Sequence, residues 1–353
     1  MGLFGKRKVR TPQEAAQGAA DAIRALRGSL DDRAHKKNAE EVEKCFASLK
    51  AHLFGDDEHE TTLAAAGACA SEVVRAGLPE ALAESLESLD FEQRKDAAQI
   101  FGATVRMKET QGVEYMGERC VADKPHILGA LLEGYRNSAT AICCGGMLRD
   151  CLRHSELAGL AIQQPAFWDL FAHMENPAFE VASDAFGTFK DCLVKHPGAA
   201  SAVLQPSIAR FLSAYRGLLQ SDNYVVKRQS LHLLGDLLGL PAYGGLALAF
   251  VNDLENLMLV MNLLRDPLRH ISYEAFVVFK SFVVCFHSGK LEDPAVAEVL
   301  RRNRDKLLAF LGDFQRERDV EDEDFASERE LILGIIRQVP EPQSPRASKE
   351  FAS

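Results

Sequence analysis

The chain lacks any long hydrophobic run, because none of its apolar segments approaches the roughly 18 residues that a membrane-spanning helix needs. The N-terminal segment MGLFGKRKVRTPQ is basic, but the apolar core of a signal peptide does not follow it. We therefore expect a cytoplasmic protein with no membrane span. Residues 1–12 are predicted to form a flexible basic N-terminus.

Cysteine is scarce and is not arranged in pairs. The 353 residues include eight cysteines, none of them in a C-x-x-C spacing. Most lie within apolar helical patterns such as AICCGGMLRDCL, which is typical of small buried side chains in a reducing compartment. The sequence therefore predicts no disulfide framework.

Positive charge is in deficit. Lys and Arg number 41 against 51 Asp and Glu, which gives a formal net charge of -10 at pH 7. A general nucleic-acid-binding protein needs a basic face that displaces counterions from the phosphates. We therefore expect no nucleic-acid partner.

Motifs of catalysis and of metal binding are also missing. The chain contains no P-loop, G-x-G-x-x-G, G-x-S-x-G or H-E-x-x-H sequence. The cluster DDEHET at 56–61 lacks the helical spacing of metal ligands, and DVEDEDFASERE at 319–330 has Asp324 where an EF-hand loop requires glycine. We interpret both as solvated acidic stretches, and we expect no enzyme activity, no cofactor and no metal.

What the chain does contain is helical periodicity almost throughout. Apolar residues recur at spacings of three and four, for example in AEEVEKCFASLKAHL and LRRNRDKLLAFLGDF. Most prolines fall between such segments, where they start or stop helices. Alternation typical of β-strands is scarce, so the sequence predicts an all-α protein built from short helices.

Five segments share one pattern of side-chain size, a small residue followed four positions later by a large apolar one. The pairs are Ala97 and Phe101, Cys144 and Leu148, Ala182 and Phe186, Ser230 and Leu234, and Ser272 and Phe276. Their spacing averages about 44 residues, within the armadillo and HEAT range of roughly 40–47. Small residues let neighbouring helices approach, and large ones fill the space between repeats. We therefore predict a curved armadillo/HEAT-like solenoid (horseshoe) over 13–339, followed by a disordered tail at 340–353.

The segment DNYVVKRQSLHLLGDLL at 222–238 predicts a helix with two distinct faces. Val226, Ser230 and Leu233 share the face that packs into the solenoid, whereas Arg228 and His232 lie one turn apart on the opposite face. Spacing alone is compatible with an ordinary polar helix face or with a docking site for another protein.

Several long motifs resemble the calcium-binding protein 39 family, also called mouse protein twenty-five. They are DFEQRKDAAQIF, ASDAFGTFKD, SDNYVVKRQSLHLLGDLL and LMLVMNLLRDPLRHISYEAFVVFKSFV. The resemblance runs from LFGK at 3–6 to Val339 and is most specific at 89–106 and 131–284. It implies a horseshoe of armadillo/HEAT-like repeats, in agreement with the size pattern. The family name mentions calcium, but no segment of this sequence supports a calcium site.

The resemblance implies a non-catalytic scaffold of protein kinases, and we expect it to be a monomer. Members of the family bind STRAD-type pseudokinases, hold them in a closed conformation and help to activate the liver tumour-suppressor kinase. They also stimulate sterile-twenty-like (germinal-centre) kinases. A Trp-Glu-Phe tail of the partner enters a pocket near the C-terminal end of the scaffold, and a concave groove holds the kinase domain.

The resemblance also assigns partner-binding residues. In the tail pocket, the motifs KRQSL and MNLLRD match the family's arginine and methionine to Arg228 and Met261, and His232 stands where the family has a lysine. Arginine offers a planar fork to a carboxylate, and methionine adapts to an aromatic ring. In the groove, Phe179 matches an aromatic contact and Arg302 replaces a lysine.

The loop GLPAYGG departs from the family pattern. Pro241 and Gly244 replace an arginine and a phenylalanine of the groove, and Tyr243 is adjacent to the position of the lost phenylalanine. An alternative hypothesis is a karyopherin-like or trafficking adaptor that binds extended peptides in a solenoid groove. Such grooves carry repeated ladders of Asn or Trp. This chain has a single tryptophan, Trp168, and no such ladder. An enzyme whose site is assembled only in space ranks third.

Overall fold

The structure is a computed structural model that describes residues 10–28, 31–55, 60–107, 116–320 and 322–339. The described residues contain α-helices and short 3₁₀ turns and no β-strand, which confirms the predicted all-α class. They divide into two compact units, Met1–Val203 and Leu204–Ser353. The single repeat domain predicted over 13–339 stays a prediction, because the chain divides into two compact units.

The first unit contains the helices that run from the start of the described chain to the unit boundary. They are α1 (Pro12–Gly28), α2 (Asp32–Phe54), α3 (Leu63–Arg75), α4 (Leu78–Ser85), α5 (Phe91–Arg106), α6 (Met116–Asp123), α7 (His126–Glu133), α8 (Ser138–Cys151), α9 (Ser155–Gln163), α10 (Leu170–His173), α11 (Phe179–Val194) and α12 (Pro197–Leu204). Ten of these helices form three series, and in each series a helix packs against the helix three places further along the chain. These series are α1, α4 and α7, then α2, α5, α8 and α11, and finally α3, α6 and α9.

The second unit continues with shorter helices and one long one. They are α13 (Ile208–Leu219), α14 (Tyr224–Gly239), α15 (Gly244–Val251), α16 (Leu254–Leu263), α17 (Arg269–His287), α18 (Pro294–Arg302), α19 (Arg304–Gly312) and α20 (Glu323–Arg337). Here α14 packs on α17, and α17 packs on α20. Packing of every third helix identifies the repeat as a three-helix unit in both parts of the chain, which is the armadillo form of a helical repeat.

Polar side chains mark where three helices of the first unit begin. Asp31, Asp90 and Asn137 precede α2, α5 and α8, and each side chain accepts a hydrogen bond from a backbone N–H of the first turn. Asp90 forms a complete capping box with Gln93. Such caps satisfy donors that a helix leaves unpaired at its N-terminus, so they fix the register of the helix that follows.

The predicted pattern of side-chain size is confirmed as the interior of the repeats. All five small residues and all five large ones of the pattern are buried, with Phe101, Leu148, Leu234 and Phe276 at 0 % exposure. The five pairs lie on α5, α8, α11, α14 and α17, one pair on each helix. A small side chain and a large one, repeated a turn apart, therefore fill the space between stacked helices.

Two predicted segments fall wholly or partly outside the described residues. The flexible N-terminus predicted at 1–12 is described only from Arg10, which is ion-paired with Glu41, and α1 begins at Pro12. The tail predicted at 340–353 and residues 56–59 of the acidic cluster lie outside the described residues.

Within the acidic stretch predicted at 319–330, the side chains of Glu323, Asp324, Glu328 and Glu330 are exposed as expected, but two other side chains are buried. Asp322 caps α20, and the side chains of Phe325 and Arg329 are buried at 2 % and 4 % exposure. The run of acidic residues concealed the i, i+4 spacing of these two side chains, which places them on one helix face.

The helices of the described residues are too short or too polar to span a bilayer one at a time. No single helix in the described ranges is long and apolar enough to cross a membrane. One bent pair, Tyr224–Gly239 with Pro241–Val251, meets the criterion by length and composition only.

All eight cysteines are free thiols, as the absence of a disulfide framework in the sequence predicted. Burial raises the pKa of every one of them, to about 12 for Cys69. Since the thiolate is the reactive form, the native thiols should be poor nucleophiles.

Native protein is therefore expected to react slowly with a thiol reagent, beginning with the half-buried Cys120, Cys143 and Cys285. In denaturant all eight thiols should react rapidly. A colorimetric thiol assay on native and denatured samples measures both rates. Rapid labelling of Cys151, which is fully buried, in the native protein would contradict the packing of α8.

Candidate functional site

The predicted residues Arg228 and His232 lie on α14 and face α17. The cap of α14 is Asn223, whose side chain accepts hydrogen bonds from the N–H groups of the first turn and so sets the phase of the helix. Both side chains approach Glu274 of α17, with 3.2 Å from His232 Nδ1 to Oε2 and 4.0 Å from Arg228 Nε to Oε1. The structure therefore brings these two predicted residues together.

Glu274 changes the electrostatics of this face. It is 6 % exposed, whereas the side chains of Arg228 and His232 are 45 % and 58 % exposed. Asp236 adds a second carboxylate at 3.8 Å from His232 Nε2. A partner carboxylate at this face would compete with two carboxylates of the chain itself.

Met261 lies in a different setting, a small cleft between α16 and α19. The lining residues combine an apolar floor with two cations at its edge: Met261, Leu264, Arg265, Asn303, Lys306, Leu307 and Phe310. Neither Arg228 nor His232 is among them. The cleft continues into an open depression whose further lining residues include one cation and two carboxylates: Asp266, Arg269, Ser272, Ala309, Asp313, Phe314 and Gln315.

The cations of this cleft are available to a ligand. Arg265 and Lys306 are both exposed, and neither forms an ion pair among the described residues. An apolar floor accepts an aromatic side chain, and adjacent ammonium and guanidinium groups accept carboxylates. The cleft itself has a volume of only about 10 Å³, so a short peptide that joins aromatic rings to acidic groups could bind only across its mouth and in the open depression beside it.

Gln315 stabilises the outer wall of the same region. It has a φ of 46°, in the left-handed region that residues other than glycine rarely adopt. Its side-chain amide donates hydrogen bonds of 2.9 Å to the carbonyl oxygen of Arg269 and to Ser272 Oγ. These bonds attach the chain after α19 to the first turn of α17.

The predicted groove residues are not among those that line this cleft. Arg302 is the last residue of α18, is 72 % exposed and is ion-paired with Glu298 at 2.6 Å. Phe179 belongs to the first unit, where it begins α11 and is 66 % exposed. Phe179 lines an open cleft together with Ile142, Arg149, Asp184 and Lys190.

The loop that departs from the family pattern does not restore an exposed aromatic side chain. Tyr243 is 1 % exposed and packs into the interior, whereas Pro241 and Gly244 on either side are exposed. Tyr243 is therefore a core residue and does not substitute for a surface phenylalanine.

Sequence reasoning missed most of the cleft around Met261. Arg265 is four residues after Met261 in the motif MNLLRD, so helical spacing could have placed both on one face. Lys306 and Phe310 had no such signal, because they belong to a helix more than 40 residues further along the chain. The partner of the opposite face, Glu274, was missed for the same reason.

Comparison with known proteins gives the relatives of this chain. Residues 2–340 match the Mo25-like family. The chain is 38 % identical to the human protein named Calcium-binding protein 39-like over 342 residues, which covers 96 % of this chain and 98 % of that protein. It is 35 % identical to the Mo25-like protein of Schizosaccharomyces pombe, with coverage of 96 % and 99 %. Computationally designed armadillo repeat proteins for modular peptide recognition are 13 % identical, with a TM-score of 0.44 and coverage of 75 % and 99 %.

Proposed function

The chain belongs to the Mo25-like family, and from this premise we propose that it is a non-catalytic scaffold that binds and activates protein kinases or pseudokinases. Family membership supports a protein-binding scaffold, and the repeat fold agrees with that role. The partners are STRAD-type pseudokinases with the liver tumour-suppressor kinase, or sterile-twenty-like germinal-centre kinases. A cytoplasmic location and a monomeric state stay predictions.

The cleft around Met261 is the observation that carries this proposal. A Trp-Glu-Phe tail offers two aromatic rings, a side-chain carboxylate and a terminal carboxylate. The apolar floor suits a ring, and Arg265 and Lys306 suit the carboxylates. Methionine adapts its shape to an aromatic ring because its side chain is unbranched and polarizable.

Arg228 and His232 have a smaller part in this proposal. Their charges already interact with Glu274 and Asp236. We therefore assign the tail to the cleft around Met261, and we assign Arg228, His232, Arg302 and Phe179 to contacts with the folded domain of the partner.

Activation follows from differential binding. A scaffold that contacts the active conformation of a kinase more favourably than the inactive one shifts the population toward activity. A coupling free energy of about 1–3 kcal/mol corresponds to roughly 5–150-fold activation. No catalytic group of the scaffold takes part in such a mechanism.

The test is the affinity of a labelled peptide that ends in Trp-Glu-Phe, measured by fluorescence polarization. We expect Met261→Ala to weaken binding about tenfold, because the loss of one well-packed contact is worth about 1.4 kcal/mol. Charge reversal in Lys306→Glu should weaken it at least as much. Met258→Ala is the matched control, since Met258 is 47 % exposed on the same helix and lines a different surface.

The outcomes separate the two candidate positions of the tail. Loss of affinity in Met261→Ala and Lys306→Glu, with Met258→Ala and Arg228→Ala unchanged, supports the cleft. Loss in Arg228→Ala alone would place the tail on the face formed by α14 and α17. Failure of the unaltered protein to bind the peptide would refute the tail interaction.

A further inference from the structure

Three side chains of the first unit bring metal-ligating atoms together, away from the surfaces described above. Glu80 and Glu84 lie one turn apart on α4, and His126 is the first residue of α7, which packs on α4. One ligand atom from each of the three side chains lies within 4.8 Å of the other two.

The two carboxylates are held in the same way. Glu80 accepts a hydrogen bond from Lys124 Nζ through Oε2, and Glu84 pairs with Arg27 Nη1 through Oε2 at 2.8 Å. In each case the other oxygen, Oε1, faces His126 Nε2, at 2.7 Å from Glu80 and 3.9 Å from Glu84. The Oε1 atoms of Glu80 and Glu84, which Lys124 and Arg27 do not contact, therefore both face His126 Nε2.

Basic side chains lie on the outer side of both carboxylates. Lys124 and Arg27 contact the outer oxygen of each carboxylate and leave the inner oxygen facing His126.

We propose that Glu80, Glu84 and His126 form a binding site for a divalent transition-metal ion, for which zinc is the probe. One imidazole nitrogen and two carboxylate oxygens are a ligand set that suits zinc, whereas calcium and magnesium prefer oxygen ligands alone. Water would complete the coordination, because the His126 side chain is 52 % exposed.

The charges around the site predict its strength. Lys124 and Arg27 offset the two negative charges, so an added cation gains less electrostatic energy than it would beside bare carboxylates. Removal of either positive charge should therefore strengthen metal binding, although each cation also contacts a ligand. Loss of a ligand should weaken zinc binding, whereas loss of a neighbouring cation should strengthen it. Incidental binding elsewhere on the surface would not show both changes.

A bound ion would join α4 to α7, helices that belong to successive repeats of the first unit. Because a ligand that binds only the folded state stabilises it, zinc should raise the thermal transition of this unit. The sequence did not reveal the site, since 42 residues separate Glu84 from His126 and only the fold brings them together.

The experiment is calorimetric titration of the full-length, tag-free protein with zinc chloride. We expect saturable binding that weakens at least tenfold in both His126→Ala and Glu84→Gln and becomes several-fold tighter in Lys124→Gln. His35→Ala is the control, because His35 is an exposed histidine of the same unit and is not part of the cluster. Circular dichroism checks that every variant is folded.

Binding weaker than about 1 mM in the unaltered protein would overturn the proposal. An affinity that is unchanged in His126→Ala, or one that falls equally in His35→Ala, would also overturn it. Calcium in excess should not displace the zinc, and displacement would exclude a site that depends on the imidazole.

Discussion

Phe276→Ala is expected to lower the free energy of unfolding by about 3–5 kcal/mol, because it leaves a cavity that the neighbouring helices cannot close. Phe276 is 0 % exposed on α17. Its ring lies 5.6 Å from that of Phe314 and 5.4 Å from that of Phe325, measured between centroids. The three rings connect α17 with the last helices of the second unit, so the loss extends beyond one helix.

A denaturant titration followed by far-UV circular dichroism measures this change. Phe179→Ala is the control, since that phenylalanine is 66 % exposed and its removal should change stability by less than about 0.5 kcal/mol. A loss below about 1 kcal/mol in Phe276→Ala would contradict the role assigned to the column of large residues.

The all-α repeat fold could be predicted because each repeat has a small and a large apolar side chain at the same two positions. Ala97 and Phe101 on α5 recur as Ser272 and Phe276 on α17, and volume at a buried position is visible in a sequence. The capping residues also indicated the positions at which helices begin. Three-helix packing was not visible, since the contact of each helix with the third one after it depends on geometry that no single segment encodes.

The sites were harder to predict than the fold, for a physical reason. In the sequence ISYEAF, Glu274 looks like an ordinary solvent-exposed acid. In the fold, its carboxylate on α17 lies beside His232 of α14, which is 42 positions earlier in the chain. Met261 and Lys306 meet in the same way across α16 and α19. Pairs of this kind depend on the register between repeats, which a change of one residue in a loop would alter.

The second large effect concerns a polar contact in the first unit that depends on the register between α8 and α11. Asp184 of α11 accepts hydrogen bonds from Tyr135 Oη at 2.5 Å and from Arg149 Nη2 of α8 at 2.6 Å. Tyr135 is 1 % exposed, and burial raises the pKa of its phenol well above the ordinary range, so the hydroxyl stays a donor. Gly145 permits this approach, because a Cβ there would collide with the Asp184 carboxylate.

Asp184→Ala is expected to destabilise the protein by about 2–4 kcal/mol, since it leaves a half-buried guanidinium without its carboxylate. The loss is smaller than for a fully buried pair because Arg149 is 31 % exposed and still donates to Thr188 Oγ1 at 2.9 Å. Chemical denaturation monitored by circular dichroism measures the change. Asp191→Ala is the matched control on the same helix, where an i, i+4 pair with Lys195 should contribute less than about 1 kcal/mol.

Replacement of both partners distinguishes a charge effect from a packing effect. If the cost of Asp184→Ala comes from the uncompensated guanidinium, the double variant Asp184→Leu with Arg149→Leu should be more stable than the single one, because apolar side chains need no partner at this position. If the cost comes from lost packing at Gly145 and Tyr135, the double variant should be no better. A cost of Asp184→Ala equal to that of Asp191→Ala would mean that the pair between α8 and α11 contributes no more to the stability of the first unit than an exposed ion pair does.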